Sequence, residues 1–222
     1  MRKVLPAILL LSSMGLAAKT EVFERLDEAA NVMSEIMATP DKGIPQDLFD
    51  KANCVIVVPG MKKAALGIGG TYGKGFISCR KGAGWSAPAA MRVEGGSFGF
   101  QLGVSETDVV MLVMNKNAQD KLLSSKFTLG AEGSVAAGPV GRSATAQTDA
   151  KMNAEILSWS RSKGLFAGIA LTGATLRGDN DNNQELYGQK MTPKEVIETA
   201  KAPAETSKFL AALRHHSPME KK

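Results

Sequence analysis

The sequence predicts an α+β fold: a glycine-rich, mainly antiparallel sheet, curved or barrel-like, flanked by N- and C-terminal helices. Three observations point there. Of the 23 glycines, all except Gly15 fall between Gly43 and Gly188, roughly twice ordinary usage. They are interleaved with strand-like runs that lack βαβ spacing, which favours a curved antiparallel sheet. Apolar residues at helical spacing occur on both sides of this region. The chain has 222 residues, 44% of them hydrophobic, enough for a core without dense disulfide stapling.

The elements follow in order. Val22, Phe23, Leu26, Ala29, Ala30, Met33, Ile36 and Met37 recur every three or four residues, predicting a helix over 21–37 with Thr20 as cap. Thr39-Pro40-Asp41-Lys42-Gly43 ends it. Pro45 opens a second short helix carrying Leu48, Phe49 and Ala52. Cys54-Val55-Ile56-Val57-Val58 reads as a buried strand ended by Pro59-Gly60. Over 65–80, Gly67, Gly69, Gly73 and Gly75 share one phase and so one strand face. Such a flat face lets another backbone approach closely. Gly99 and Gly103 repeat this around Phe98, Phe100 and Leu102, and Val109 to Met114 is a further buried strand. Asn115 starts a helix with Ala118, Leu122 and Leu123. Leu129 to Val140 and Phe166 to Arg177 read as strands, and 151–161 is ambiguous. Asp179-Asn180-Asp181-Asn182-Asn183 reads as a polar turn. Thr192-Pro193-Lys194-Glu195 is a capping box before one or two terminal helices.

Net charge is +5, but it is unevenly spread. Arg2 and Lys3, with the basic excess of 201–222, account for all of it, so residues 18–200 are neutral. A broad nucleic-acid surface is therefore not implied. The only histidines, His215 and His216, lie in a segment expected to fray. Their position excludes a body His for a hydrolase triad or a thiol nucleophile. Two Cys and two tail His lack zinc spacing. Gly73-Lys74-Gly75, with Ile68 upstream, misses a phosphate loop at both ends, and Gly70-Thr71-Tyr72-Gly73 is a bare GxxG. A calcium loop from Asp179 fails at Gln184 and Lys190. No cofactor is expected. Glu94, Glu106, Asp108, Glu132 and Asp149 are the carboxylates that a hydrolase reading would have to use, with surface or turn roles as the alternative.

Arg2 and Lys3, the apolar Val4 to Leu11 and small residues at Gly15 and Ala17 form a signal-peptide layout over 1–17. Cleavage near Ala17/Ala18 predicts a periplasmic or secreted protein; a retained anchor is the alternative. Residues 18–200 then form one domain, and 201–222 a basic helix and tail. Cys54 and Cys79 are either a bridge, permitted outside the cytoplasm, or two buried thiols.

Five ordered segments carry a resemblance. They are Gly84-Trp85-Ser86-Ala87-Pro88, Gly96 to Gly103 followed by Thr107-Asp108, Ala136-Ala137-Gly138-Pro139-Val140-Gly141-Arg142, Ser158 to Gly168 with Ser162-Lys163-Gly164-Leu165-Phe166, and Asn183 to Tyr187-Gly188. Together the chain resembles the SYLF domain family. The resemblance implies a non-enzymatic module that binds membrane lipids, phosphoinositides in eukaryotic members, some of which also bind actin. It also suggests an exported bacterial stand-alone member, for which actin is an unexpected partner.

In some members an amphipathic helix ahead of the core contributes to lipid binding. Here that helix is acidic: Glu21, Glu24, Asp27, Glu28 and Glu35 oppose Arg25. Membrane-surface helices carry cations on the polar face, so core packing is the expected role. Anionic headgroups would instead meet Lys62, Lys63, Lys74, Arg80, Arg142 and Lys163, each of which has an ordinary solvated cation as its alternative. A protein-interaction or envelope-scaffold module is the second reading, and a hydrolase the third.

Overall fold

The computed structural model describes residues 14–39, 43–124, 126–139, 154–162, 165–168 and 171–217, with only the backbone described for 14–20, 65–68, 97–104 and 165–168. The run from Cys54 opens β1 (Cys54–Lys81), a single strand that does not stop at Pro59-Gly60. That dipeptide makes a bulge: the register with β3 (Ala89–Val113) shifts between Val58 and Met61, and Gly60 has φ +53°. A bulge inserts residues into one strand and strengthens its twist. A second shift lies between Ala65 and Gly67. β1 and β3 therefore form one long antiparallel ribbon, paired from Cys54↔Val113 to Ile77↔Ala89.

This ribbon folds back until its two ends meet. The Arg80 N–H donates to Asn53 O at 2.8 Å, and Cys54 and Cys79 are joined as a disulfide. Glycine makes the crossing possible. A Cβ on Gly75 would lie 2.1 Å from Val57 O, and one on Gly73 would lie 2.7 Å from Val58 Cγ1. Gly75 thus admits another backbone, and Gly73 the side chains of Val58 and Met61.

β2 (Gly84–Trp85) pairs with the end of β1. Beyond β3 lie β6 (Ile156–Ser162) and β8 (Thr175–Gly178), both antiparallel to it. β4 (Phe127–Thr128) pairs with β8 and β7 (Leu165–Gly168) with β6; β5 (Val135–Ala137) lies parallel to β6. The result is a curled, mostly antiparallel half-barrel. The ambiguous 151–161 segment contributes strand β6. The runs 129–140 and 166–177 are broken, with Gly130 and Gly173 both at φ +86° between short strands. This left-handed backbone suits glycine and interrupts regular pairing.

Helices cover both faces. α1 (Met14–Ala38) begins before Thr20, and its stripe of Leu26, Met33 and Ile36 is buried. With Phe49 of α2 (Gln46–Lys51) and Phe209 and Leu213 of α6 (Ser207–His216), it packs on Val55, Val57, Phe76, Val110 and Trp159. The alternate residues Ile56, Val58, Ile77, Met91 and Met111 face Leu122 of α3 (Lys116–Ser124) and Val196 of α5 (Pro193–Thr199). Burial on both faces explains continuous rather than alternating apolar runs. Each such side chain contributes roughly 1.5–3 kcal/mol.

Two further sequence expectations are corrected. Asp179 to Asn183 is not a solvated turn. Asp179 caps α4 (Asn180–Tyr187) and Gly188 ends it at φ +72°, with Asp179, Asn182 and Asn183 buried. The expected fraying tail is also docked. His215 and His216 form the last turn of α6, and Ser217 beyond them is buried, its hydroxyl 2.6 Å from Asp50 Oδ1. Among the described residues, no helix is long and apolar enough to cross a membrane.

Candidate membrane-facing surface

The six cations named from sequence have different fates. Lys74 is half-buried and paired, its ammonium 3.2 Å from Asp179 Oδ2 and 3.4 Å from Asn182 Oδ1. Arg80 donates from Nε to Ala52 O and from Nη2 to Phe49 O, Asp50 O and Ser217 Oγ. It also lies 3.9 Å from the centre of the Trp85 ring. Burial lowers its pKa, with Asp50 opposing. Arg80 thus ties the ends of β1, α2 and α6 together. Arg142 and Lys163 lie outside the described residues.

Lys62 and Lys63 remain. Both are exposed and neither has an ion-pair or hydrogen-bond partner among the described residues. Lys62, Lys63 and Ala64 are exposed in succession, as are the facing Ser105 and Glu106. Successive strand residues point to opposite faces, so the ribbon here has left the core and is wet on both sides. Met61 meets the returning strand at Gly73, which sets the lysines on one side of the crossing and Tyr72 on the other. Tyr72 is 47% exposed, the one exposed large hydrophobic among the described residues. Beyond it the ribbon bends, where three residues of β3, Phe100 to Leu102, face the single Leu66 of β1, and Ile68 pairs with Phe98.

Sequence reasoning missed Tyr72, seeing it only as filler in a GxxG. The available signal was a large aromatic inside a glycine run, where no neighbouring side chain can cover it.

Several resemblance-bearing residues among those described hold the fold together. Asn183 Oδ1 accepts from Ala90 N at 2.7 Å, and the Tyr187 hydroxyl donates to Pro88 O at 2.6 Å. Burial pushes that hydroxyl well above its ordinary pKa. Asp108 accepts the bulge N–H of Gly60 at 2.9 Å and two Arg161 donors at 3.0 and 2.7 Å; Arg161 also pairs with Glu35 of α1. A Cβ at Gly138 would lie 2.1 Å from Trp159 Cε2, whose Nε1 donates to Pro139 O. No group of three His, Cys, Asp or Glu able to hold a metal occurs among the described residues.

Comparison with known proteins bears on this arrangement. A family model described as "Ysc84: Las17-binding protein actin regulator" matches residues 94–216. LAS seventeen-binding protein 3 of Saccharomyces cerevisiae is 36% identical over 164 residues, 71% of this chain and 35% of that protein. SH3 domain-containing YSC84-like protein 1 of Xenopus laevis is 31% identical over 169 residues, 73% of this chain and 50% of that protein. Protein YSC84 of Saccharomyces cerevisiae is 33% identical over 161 residues, 71% of this chain and 34% of that protein. The chain thus spans between a third and a half of these relatives. The family-model match and these relatives show that the chain belongs to the Ysc84, or SYLF, domain family.

Proposed function

We propose that this is a non-enzymatic domain that binds anionic lipid surfaces, acting outside the cytoplasm. The observation that carries the reading is the pair of exposed, unpartnered lysines on one arm of the ribbon bend with exposed Tyr72 on the other. Each lysine near an anionic leaflet contributes about 1 kcal/mol. Tyrosine suits the interface because its ring is apolar and its hydroxyl polar. The amphipathic helix is a poor alternative. Its apolar face is already buried, and Glu21, Glu24, Asp27 and Glu28 form much of the exposed remainder. An oxidising compartment is compatible with the Cys54–Cys79 bridge. Such binding is reversible, since two charges supply only roughly 2 kcal/mol.

Co-sedimentation with vesicles of graded anionic content tests the proposal. Binding should rise with anionic lipid, weaken with salt, and fall roughly 30-fold in Lys62→Ala/Lys63→Ala. Arg142→Ala/Lys163→Ala probes the other two headgroup candidates in the same assay. No binding at low salt overturns the reading.

A second reading has its own support. The matching family is described as a Las17-binding actin regulator, and a relative is named for binding LAS seventeen. A protein partner is therefore the competing function. Lipid-independent capture of one defined partner, retained in Lys62→Ala/Lys63→Ala, would favour it.

A further inference from the structure

At the end of β1 opposite the ribbon bend lies a cleft of about 470 Å³, bordered by Arg80, Lys81, Lys116 and Lys194, with Asp120 and Glu198. Its size is within the range of small-ligand sites. Part of its wall is apolar, from buried Leu123 and Ile197. Four cations face two carboxylates, and concave sites concentrate the resulting potential.

The cations are placed against local preference. Lys116 is in the first turn of α3 and Lys194 in that of α5, where the peptide dipole disfavours positive charge. Helix α5 already has its acidic residue, because Glu195 closes the capping box with Thr192. Lys194 has no partner among the described residues. Lys116 meets only Asp120, at 2.8 Å in an exposed pair, with the lysine N-terminal, the weaker order. Lys81 gives one hydrogen bond to Glu198 O at 2.6 Å, leaving two ammonium donors. Three lysines from three elements thus line one cleft.

We propose that this cleft binds a phosphate-bearing anion through Lys81, Lys116 and Lys194. Charge selects phosphate over carboxylate. A monocarboxylate brings one charge and two acceptor oxygens, too few to meet three ammonium groups. A phosphate monoester carries −1.5 to −2 and has three acceptor oxygens for three ammonium groups. Arg80, held by its own carbonyl partners, adds charge to the wall. The proposal is separate from the ribbon surface, and either can fail without the other.

Titration of the full chain with inorganic pyrophosphate, followed by amide shifts at constant ionic strength, tests it, with acetate as control. Saturable shifts at the cleft with pyrophosphate but not acetate are expected. Lys116→Ala and Lys194→Ala should each weaken binding about tenfold with unchanged thermal midpoints. Asp120→Asn should tighten it by removing the competing carboxylate. Lys62→Ala/Lys63→Ala should leave it unchanged. Vesicles containing phosphatidic acid identify the source. Weaker vesicle binding by the cleft variants means a lipid headgroup; unchanged vesicle binding means a soluble phosphate. Absence of saturation, equal acetate binding, or weakening by Asp120→Asn overturns the proposal.

Discussion

The base and the bend of the β1–β3 ribbon use similar residues to opposite ends. At the base, Arg80 reaches three backbone carbonyls, a serine and a tryptophan ring, beside a disulfide and a glycine crossing. At the bend, Lys62 and Lys63 of the same strand reach nothing among the described residues, and Tyr72 is left open. A cation that is fully bonded holds the fold, and taking it away breaks the fold. One that is unbonded costs nothing to remove and is available to a ligand. The contrast also separates Lys74, which pairs with buried Asp179, from its neighbours in the glycine-rich strand.

The largest break should come at the base. Gly75→Val would force side-chain atoms against Val57 O, a backbone group that cannot rotate away, and should cost at least about 3 kcal/mol. Gly70→Ala at the bend has only Gly95 O nearby, at 3.9 Å, and should stay within about 0.5 kcal/mol. Denaturant midpoints compare the two. Cys54→Ser/Cys79→Ser comes next, at about 3 kcal/mol from lost loop closure. Arg80→Ala should lose about 2 kcal/mol by freeing buried carbonyls while leaving the bend intact. The smallest change lies off the ribbon. Thr192 holds the Glu195 carboxyl below its ordinary range through backbone and hydroxyl hydrogen bonds. A lowered carboxyl stabilises the fold above its unfolded pKa and loses this as pH falls through the folded value. The protection of α5 amides, taken as the ratio of intrinsic to observed exchange rate at each pH, should therefore fall on acidification, and Glu195→Ala should remove that pH dependence.

Much of this fold was readable in advance. The helical stripes, the capping box and the in-phase glycines each have a local physical cause, and all three occur as expected. The joining of separate strand runs into one ribbon was not readable. Pro59-Gly60 reads locally as a stop, and only Asp108, 48 residues away in sequence, converts it into a bulge. Asp179 to Asn183 misled for the same reason. Its polarity signals solvent unless Ala90 N and the Lys74 ammonium are known to be waiting. For the candidate site, residue type identified six cations, but exposure and bonding are tertiary properties, and they alone distinguish Lys62 and Lys63 from Lys74 and Arg80.

The open bend is the surface proposed to meet anionic lipid. Replacing Tyr72 by tryptophan puts a reporter there, while Trp85 and Trp159 stay buried in the body. Titration of Tyr72→Trp with anionic vesicles should give a blue-shifted emission that reverses with salt and disappears in the Lys62→Ala/Lys63→Ala background. Co-sedimentation with vesicles and no change in emission would contradict the claim.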